Sequence, residues 1–143
     1  MLAVGRPDSW NLPLFLHVLG ATVVFGATGA LAIVGFASRR AADHGPLLAR
    51  VALRTFLFGV LPSWLLMRIA AEWVLDKESF YADEGWVGVG YIVSEGAGVF
   101  LLVTGILAWL SLRRGRLMLA VPILATICVI GFAVAWVAMS GKP

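Results

Sequence analysis

Four long apolar stretches, separated by short charged connections, occupy most of this chain of 143 residues. Their predicted limits are residues 12–37, 47–75, 87–112 and 117–140. An α-helix rises about 1.5 Å per residue and the hydrocarbon core of a bilayer is about 30 Å thick, so roughly 20 residues suffice to cross it. Each stretch is longer than that. The sequence therefore predicts an all-α membrane protein, a bundle of four transmembrane helices that forms one domain over residues 1–143.

The composition excludes a soluble helical protein. Hydrophobic residues make up 61% of the chain and charged residues 13%, whereas soluble domains average about 45–50% and about 25%. A helix with one face in water is apolar on one side only. Residues 99–112 and 117–135 are apolar on every side, and the remaining chain is too short for a separate aqueous domain.

The distribution of charge predicts the orientation of the bundle. Lys and Arg near the ends of spans stay on the cytoplasmic side of a membrane. The second connection, residues 76–86, is acidic, whereas the first and third connections and the adjoining span ends hold seven of the eleven basic residues: Arg39, Arg40, Arg50, Arg54, Arg113, Arg114 and Arg116. We therefore expect a multi-pass protein of a bacterial inner membrane with both termini outside.

Two further observations agree with this orientation. Indole rings prefer the headgroup zone, and four tryptophans lie at the predicted outer boundary: Trp10, Trp73, Trp86 and Trp136. Basic groups at a membrane surface attract acidic headgroups. The bilayer is thus the first predicted partner, with anionic lipid at Arg39, Arg40, Arg113, Arg114 and Arg116.

Small residues recur at helical spacing in two of the spans. Such spacing lets two helix backbones approach closely, and the candidate packing positions are Gly26, Ala30, Gly90, Ser94, Gly98 and Gly105. They indicate packing within the bundle or, alternatively, the seam of a homodimer. Pro62 predicts a kink in the second span, because its ring displaces the carbonyl of Phe58 and it has no N–H to donate.

Four ionisable residues fall within the spans: His17, Arg68, Glu72 and Glu95. Counted from the boundary tryptophans, His17, Arg68 and Glu95 lie roughly 8–14 Å below the outer surface, in one layer. Charges in lipid are costly and usually pair or face the bundle interior. The cluster therefore has two interpretations: a structural network in which Arg68 bridges Glu72 and Glu95, or the lining of a small outward-facing binding pocket.

The sequence Leu16-His17-Val18-Leu19-Gly20-Ala21, followed by Phe25-Gly26, resembles the first helix of small bacterial four-helix membrane proteins. These include the copper-resistance protein D superfamily and the HemJ-like haem-binding protoporphyrinogen oxidases. The resemblance implies an axial haem ligand at His17. The only other histidine, His44, lies in the first connection, so no second imidazole in a span could complete the ligation. We therefore predict no cofactor, and a metal site at His17 only if haem b is present.

The chain contains no motif typical of an enzyme. It has no phosphate-binding loop, no nucleophile elbow and a single cysteine, Cys128, so no cysteine pair. Its basic residues stand in short groups without interleaved aromatics, which excludes nucleic-acid binding. We therefore predict no catalytic residues. The expected function is that of an accessory or scaffold subunit for other membrane proteins, or of a small binding protein. The alternatives are a haem- or quinone-binding redox protein using His17, and an oligomeric proton-coupled transporter.

Overall fold

The chain forms a bundle of apolar helices. A computed structural model describes residues 9, 11–77 and 85–140, and within these residues there is no strand. Four helices there are long and apolar enough to cross a membrane, which confirms the predicted all-helical four-span class. The helical elements are α1 (Asn11–Ala37), a short 3-10 helix (Ala42–His44), α2 (Gly45–Thr55), a π-helical segment (Phe56–Val60), α3 (Leu61–Lys77), α4 (Gly85–Arg113) and α5 (Ala120–Ser140). The second span is continuous through α2, the π segment and α3.

Six of the eight predicted span limits differ from the structure by one to three residues, and two of these differences have a clear reason. The second span begins at Gly45 rather than at residue 47, because Pro46 suits the first turn of a helix, where an N–H has no partner to lose. The fourth span, α5, begins at Ala120 rather than at residue 117. Leu117 is buried but not helical, so hydropathy alone extended the span by three residues.

Some features of the sequence analysis fall outside the described residues. These are the basic residues Arg6 and Lys142, the acidic residues Glu78, Asp83 and Glu84, the boundary residue Trp10, and the side chain of Trp86.

The apolar residues are distributed as expected for a helical bundle in lipid. Large hydrophobic side chains cover the outside, and Phe58 and Ile92 are 80% and 76% exposed. The buried core has a high share of small residues, including Ala49, Ala52 and Ala125. Small side chains at helix contacts are typical of membrane bundles, where packing rather than water exclusion holds the helices together.

Around the bundle, α1 packs against α3 and α5, and α4 packs against α5 and α2. By contrast, α3 and α4 make little contact. The second and third spans are therefore close at the α2 end and separated at the α3 end. The ring of helices is closed at one end of the bundle and open between α3 and α4 at the other.

The π segment ends two residues before Pro62. The N–H of Leu61 donates to the carbonyl of Phe56, five residues earlier. A π turn is one way in which a helix accommodates an interruption of its regular hydrogen bonds. The backbone irregularity therefore lies at the position where Pro62 predicted a kink.

Two glycines of α1 mark close approaches between helices. A Cβ atom added to Gly20 would lie 2.6 Å from the backbone nitrogen of Met67 on α3. A Cβ atom added to Gly35 would lie 2.6 Å from Pro122 on α5. The absence of side chains at these two positions is what lets α1 lie directly against both neighbours.

The small-residue positions predicted for packing divide into two groups. Gly90, Gly98 and Gly105 on α4 face the side chains of Met139, Trp64 and Phe56, respectively. Gly26 and Ala30 on α1 do not pack within the bundle, because Ala30 is exposed and no heavy atom lies within 4 Å of a Cβ added to Gly26. The prediction that Gly26 and Ala30 pack inside the bundle is therefore corrected. Both positions lie on its outer surface.

Candidate functional site

A cavity of about 300 Å³ lies between α1, α3, α4 and α5, at the end of the bundle where α3 and α4 separate. It extends from the helix ends at Leu75, Val87 and Ser140 inward to Phe25 and Phe132. Most of the exposed surface inside it is apolar. A concave apolar cavity with a few polar groups is the usual form of a small-molecule site.

Aromatic rings and aliphatic side chains form the back of the cavity. Phe25 on α1 and Trp136 on α5 meet edge to face, with ring centroids 6.0 Å apart and planes at 78°. Deeper in the bundle than the cavity, the indole Nε1 of Trp64 donates to the backbone carbonyl of Ser94 at 3.3 Å. The Trp64 ring occupies the space left by the missing side chain of Gly98. Trp64 therefore joins α3 to α4 beneath the cavity.

Arg68 bridges the gap between α3 and α4. One guanidinium nitrogen, Nη1, donates to Glu72 one turn further along α3, and Nη2 donates to Glu95 on α4 at 3.2 Å. The guanidinium carbon lies 4.5 Å from the centroid of the Tyr91 ring, a distance suited to a cation–π interaction. The structure thus brings Arg68, Glu72 and Glu95 together.

The three charged side chains differ in exposure. The Arg68 side chain is 20% exposed and lines the cavity, whereas those of Glu72 and Glu95 are 56% and 67% exposed on the outside of the bundle. The guanidinium therefore stands between the cavity and two carboxylates. Its positive charge is already compensated by this pair.

His17 lines the same cavity but makes a different contact. Its Nδ1 lies 3.1 Å from the backbone carbonyl of Met67. A carbonyl can only accept, so Nδ1 carries the proton in this contact and Nε2 is left as an acceptor. The contact orients the imidazole next to the close approach of Gly20 to Met67. His17 shares the cavity with Arg68 without a direct contact to it among the described hydrogen bonds.

Two hydroxyl groups in the cavity wall are buried without a hydrogen-bond partner among the described residues: Tyr91 Oη and Ser94 Oγ. They stand three residues apart on α4 and therefore on one face of that helix. Buried hydroxyls are normally bonded. Both oxygen atoms are covered by neighbouring protein atoms, so neither is open to the cavity.

The sequence analysis did not assign Tyr91 to the site, and it treated Ser94 only as a small packing residue. One signal was present in the sequence. Tyr91 precedes Glu95 by four residues, so the two share a face. The cavity itself has no sequence signature, because it arises from the separation of two helices.

A second, smaller feature lies at the opposite end of the bundle. Arg39, Arg114 and Arg116 surround an open pocket of about 290 Å³ at the start of α5. Gly115 lies between two of these arginines and has a φ of 64°, a conformation that glycine adopts easily. Nearby, the guanidinium of Arg113 lies 4.3 Å from the centroid of the Trp109 ring. Basic side chains thus converge where the first and third connections meet.

No group of three or more His, Cys, Asp or Glu side chains in the described parts of the chain is arranged to hold a metal ion. Comparison of the chain with protein-family models, curated proteins and solved structures gives no match.

Proposed function

We propose that this protein is a small multi-pass membrane protein that binds one lipid-soluble molecule in the cavity between α1, α3, α4 and α5. The observation that carries the proposal is an apolar cavity of about 300 Å³ with only a few polar side chains, among them His17 and Arg68, in its wall. Lipid-soluble molecules are the ligands that such a lining favours. The gap between α3 and α4 provides a route from the bilayer.

The proposed orientation places this cavity in the outer leaflet of a bacterial inner membrane, with both termini outside. The basic residues support it, because those of the first and third connections are exposed at the end of the bundle opposite the cavity. There we propose anionic lipid as the partner of Arg39, Arg40, Arg113, Arg114 and Arg116. Three of these, Arg39, Arg114 and Arg116, already converge on one pocket.

A role as an accessory subunit is the second candidate, and one observation favours it. The carboxylates of Glu72 and Glu95 are more than half exposed within the predicted hydrocarbon region. Exposed carboxylates in lipid are costly, and they are usually covered or paired. A neighbouring membrane subunit with a donor side chain would satisfy both.

Haem at His17 fits this cavity in one respect only. The contact from Nδ1 to the Met67 carbonyl leaves Nε2 available, as in many histidine ligands. The acidic side groups of a haem, however, need a cationic partner. The guanidinium of Arg68 is already held by Glu72 and Glu95. We therefore propose an uncharged ligand.

The test of binding is native mass spectrometry of the protein released from mild detergent, followed by extraction of any retained molecule. Ala135→Phe fills the cavity wall and should abolish the retained mass. Val134→Phe, at the adjacent but lipid-facing position on α5, should keep it. Ala71→Phe on α3 is a second cavity-filling variant, and thermal unfolding reports whether each variant is folded. Equal retention by all variants, or no retention by wild type, would overturn the proposal.

An absorbance spectrum tests the haem alternative. We expect no Soret band from the purified protein. A Soret band that His17→Ala removes would replace the proposed function with a redox role for His17.

A further inference from the structure

The arginine pocket, formed by Arg39, Arg114 and Arg116, lies where the first and third connections meet, at the end of the bundle opposite the cavity. It has a volume of about 290 Å³, and all three arginines are exposed. Their guanidinium groups make no ion pair and no side-chain hydrogen bond with any described residue. Three positive charges therefore converge on one pocket without compensation from the described part of the chain.

The backbone that carries two of these arginines is a packed turn. The buried hydroxyl of Ser111, near the end of α4, accepts from the N–H of Met118 at 3.0 Å and so closes the turn between α4 and α5. The first connection lies directly against this turn, because a Cβ atom added to Gly45 would lie 2.9 Å from the carbonyl oxygen of Gly115. The two connections therefore hold each other in place around the pocket.

The third arginine, Arg39, is positioned by the end of α1. Gly35 packs directly against Pro122 in the first turn of α5. The hydroxyl of Ser38 donates to the carbonyl of Gly35 at 2.6 Å, which satisfies one of the last carbonyls of the helix. Arg39 follows Gly35 by four residues, about one helical turn. It therefore extends from a fixed helix end beside the start of α5.

Little negative charge is available near the arginine pocket to compete with a bound anion. Asp43 is the only acidic residue in the segments 38–44 and 114–119, and it forms no ion pair with another described residue. Arg68, in contrast, is held by two carboxylates. The planar guanidinium group matches the oxygens of a phosphate, to which it can donate two parallel hydrogen bonds. A phosphate is therefore the complementary anion.

The number of arginines favours one kind of phosphate. A phosphate monoester carries a charge of about −1.5 to −2 near neutral pH and has three terminal acceptor oxygens. Each of the three guanidinium groups can therefore bond a different oxygen. A phosphodiester, the form found in most membrane phospholipids, has less charge and fewer terminal oxygens. A diester would leave part of the arginine pocket unmatched.

Building on the anionic-lipid partner of the proposed function, we infer that the arginine pocket binds the head of a lipid that ends in a phosphate monoester. Leu119 lines the same pocket at the start of α5 and is 42% exposed. It offers apolar surface to the glycerol and the first acyl carbons of such a lipid. A lipid therefore matches the whole lining, whereas a soluble phosphate matches only the arginines.

The experiment compares four probes by native mass spectrometry of the full chain in detergent micelles. Dioctanoyl phosphatidate is the monoester lipid, dioctanoyl phosphatidylglycerol the anionic diester, dioctanoyl phosphatidylcholine the zwitterionic diester, and glycerol 3-phosphate the soluble monoester. The pH is kept above the second pKa of a phosphate monoester, about 6. Phosphatidate should bind about tenfold more tightly than phosphatidylglycerol, as expected for one further charge-assisted hydrogen bond. Glycerol 3-phosphate should bind more weakly than phosphatidate.

Two pairs of variants locate the preference. Arg39→Gln and Arg114→Gln remove arginines of the pocket, and each should bring the ratio of phosphatidate to phosphatidylglycerol binding close to one. Arg40→Gln and Arg113→Gln are the matched controls, because they remove the same charge from the adjacent positions, which lie outside the pocket lining. The controls should weaken both lipids alike and keep the ratio. Thermal unfolding reports whether each variant is folded.

The outcomes separate the two proposals. Equal binding of phosphatidate and phosphatidylglycerol to wild type, or the same loss of preference in pocket and control variants, would overturn the monoester inference and leave a general site for anionic lipid. Binding of glycerol 3-phosphate as tight as that of phosphatidate would overturn the assignment to a lipid. Equal binding of phosphatidylcholine and both anionic lipids would overturn the proposed anionic-lipid partner and the inference with it.

Discussion

Thr28 and Thr104 are equally buried threonines that differ in their hydrogen bonding. Both are fully buried. The hydroxyl of Thr104 donates to the carbonyl of Phe100 at 2.7 Å, whereas that of Thr28 has no partner among the described residues. Replacing Thr28 by valine keeps the shape and removes an unsatisfied polar group. We therefore expect Thr28→Val to leave the free energy of unfolding unchanged or to raise it by up to about 1 kcal/mol.

Thr104→Val is the matched comparison and should lower the free energy of unfolding by about 0.5–1.5 kcal/mol, because it removes a hydrogen bond that is made. Reversible unfolding in mixed micelles measures both variants. A larger loss for Thr28→Val than for Thr104→Val would show that the Thr28 hydroxyl has a partner.

The contact between Arg68 and Glu95 predicts coupled effects of mutation. Arg68→Leu and Glu95→Leu should each destabilise the protein, and the double variant should lose less than the sum of the two. Interactions between polar side chains in membrane proteins average about 0.6 kcal/mol and reach about 1.7 kcal/mol, so we expect a coupling energy of about 0.5–1.5 kcal/mol. Thermal unfolding of the four proteins in detergent measures it. Strictly additive losses would contradict the bridge.

The ionisable residues were the part of the site that the sequence could indicate. Counting residues from the boundary tryptophans places His17, Arg68 and Glu95 at a common depth, and the structure places His17 and Arg68 in one cavity wall. Tyr91 and Ser94 could not be selected in this way, because neutral hydroxyls are common in membrane helices and carry no depth signal. Their place in the cavity wall is known only from the coordinates.

At the scale of the helices, Gly20 on α1 is the contact most sensitive to mutation. A Cβ atom there would lie 2.6 Å from the backbone nitrogen of Met67 and 2.8 Å from its Cα. Backbone atoms cannot turn away as a side chain can. Gly20→Ala should therefore force α1 and α3 apart and lower the free energy of unfolding by about 1–3 kcal/mol. It should also perturb the contact of His17 with the Met67 carbonyl.

Gly29→Ala is the control on the same helix, because a Cβ atom there meets no heavy atom within 4 Å. Alanine favours a helix over glycine, so this variant should match wild type or be more stable by up to about 1 kcal/mol. Thermal unfolding reports stability, and the imidazole resonances of His17 report the local change. Equal melting temperatures for the two variants would contradict the close approach of α1 to α3.

The helix contacts show why spacing alone predicts packing incompletely. A repeat of small residues shows which positions share a face, but it does not show which face points inward. For Gly26 and Ala30 that face points outward, since α1 is apolar on all sides and nothing in its sequence distinguishes lipid from protein. The partners of Gly98 and Gly105, in turn, are the rings of Trp64 and Phe56 rather than helix backbones.

At the scale of the whole molecule, the number and class of the spans follow from hydropathy and length, because a bilayer imposes both. The order in which the helices pack does not follow from either. The separation of α3 from α4, where the cavity lies, accompanies the packing of α3 against α1 and of α4 against α5.

Orientation in the membrane is the last prediction, and the cavity's place in the outer leaflet depends on it. Asp43 lies in the first connection and Asp76 at the end of α3, and both are exposed. Acidic residues contribute little to topology, so each can be replaced by cysteine without changing the distribution of basic residues. In a Cys128→Ala background, Asp76→Cys should react with a membrane-impermeant maleimide in intact spheroplasts, and Asp43→Cys should react only after lysis.

The native thiol of Cys128 should react slowly with the maleimide in both orientations, because it is only 2% exposed and lies within α5. Replacing Cys128 by alanine therefore removes only background labelling and leaves the labelling of the introduced cysteines unaffected. The opposite labelling pattern would place the arginine pocket outside and the cavity in the cytoplasmic leaflet. In that case the cavity would keep its lining, but a ligand from the bilayer would have to enter from the inner leaflet.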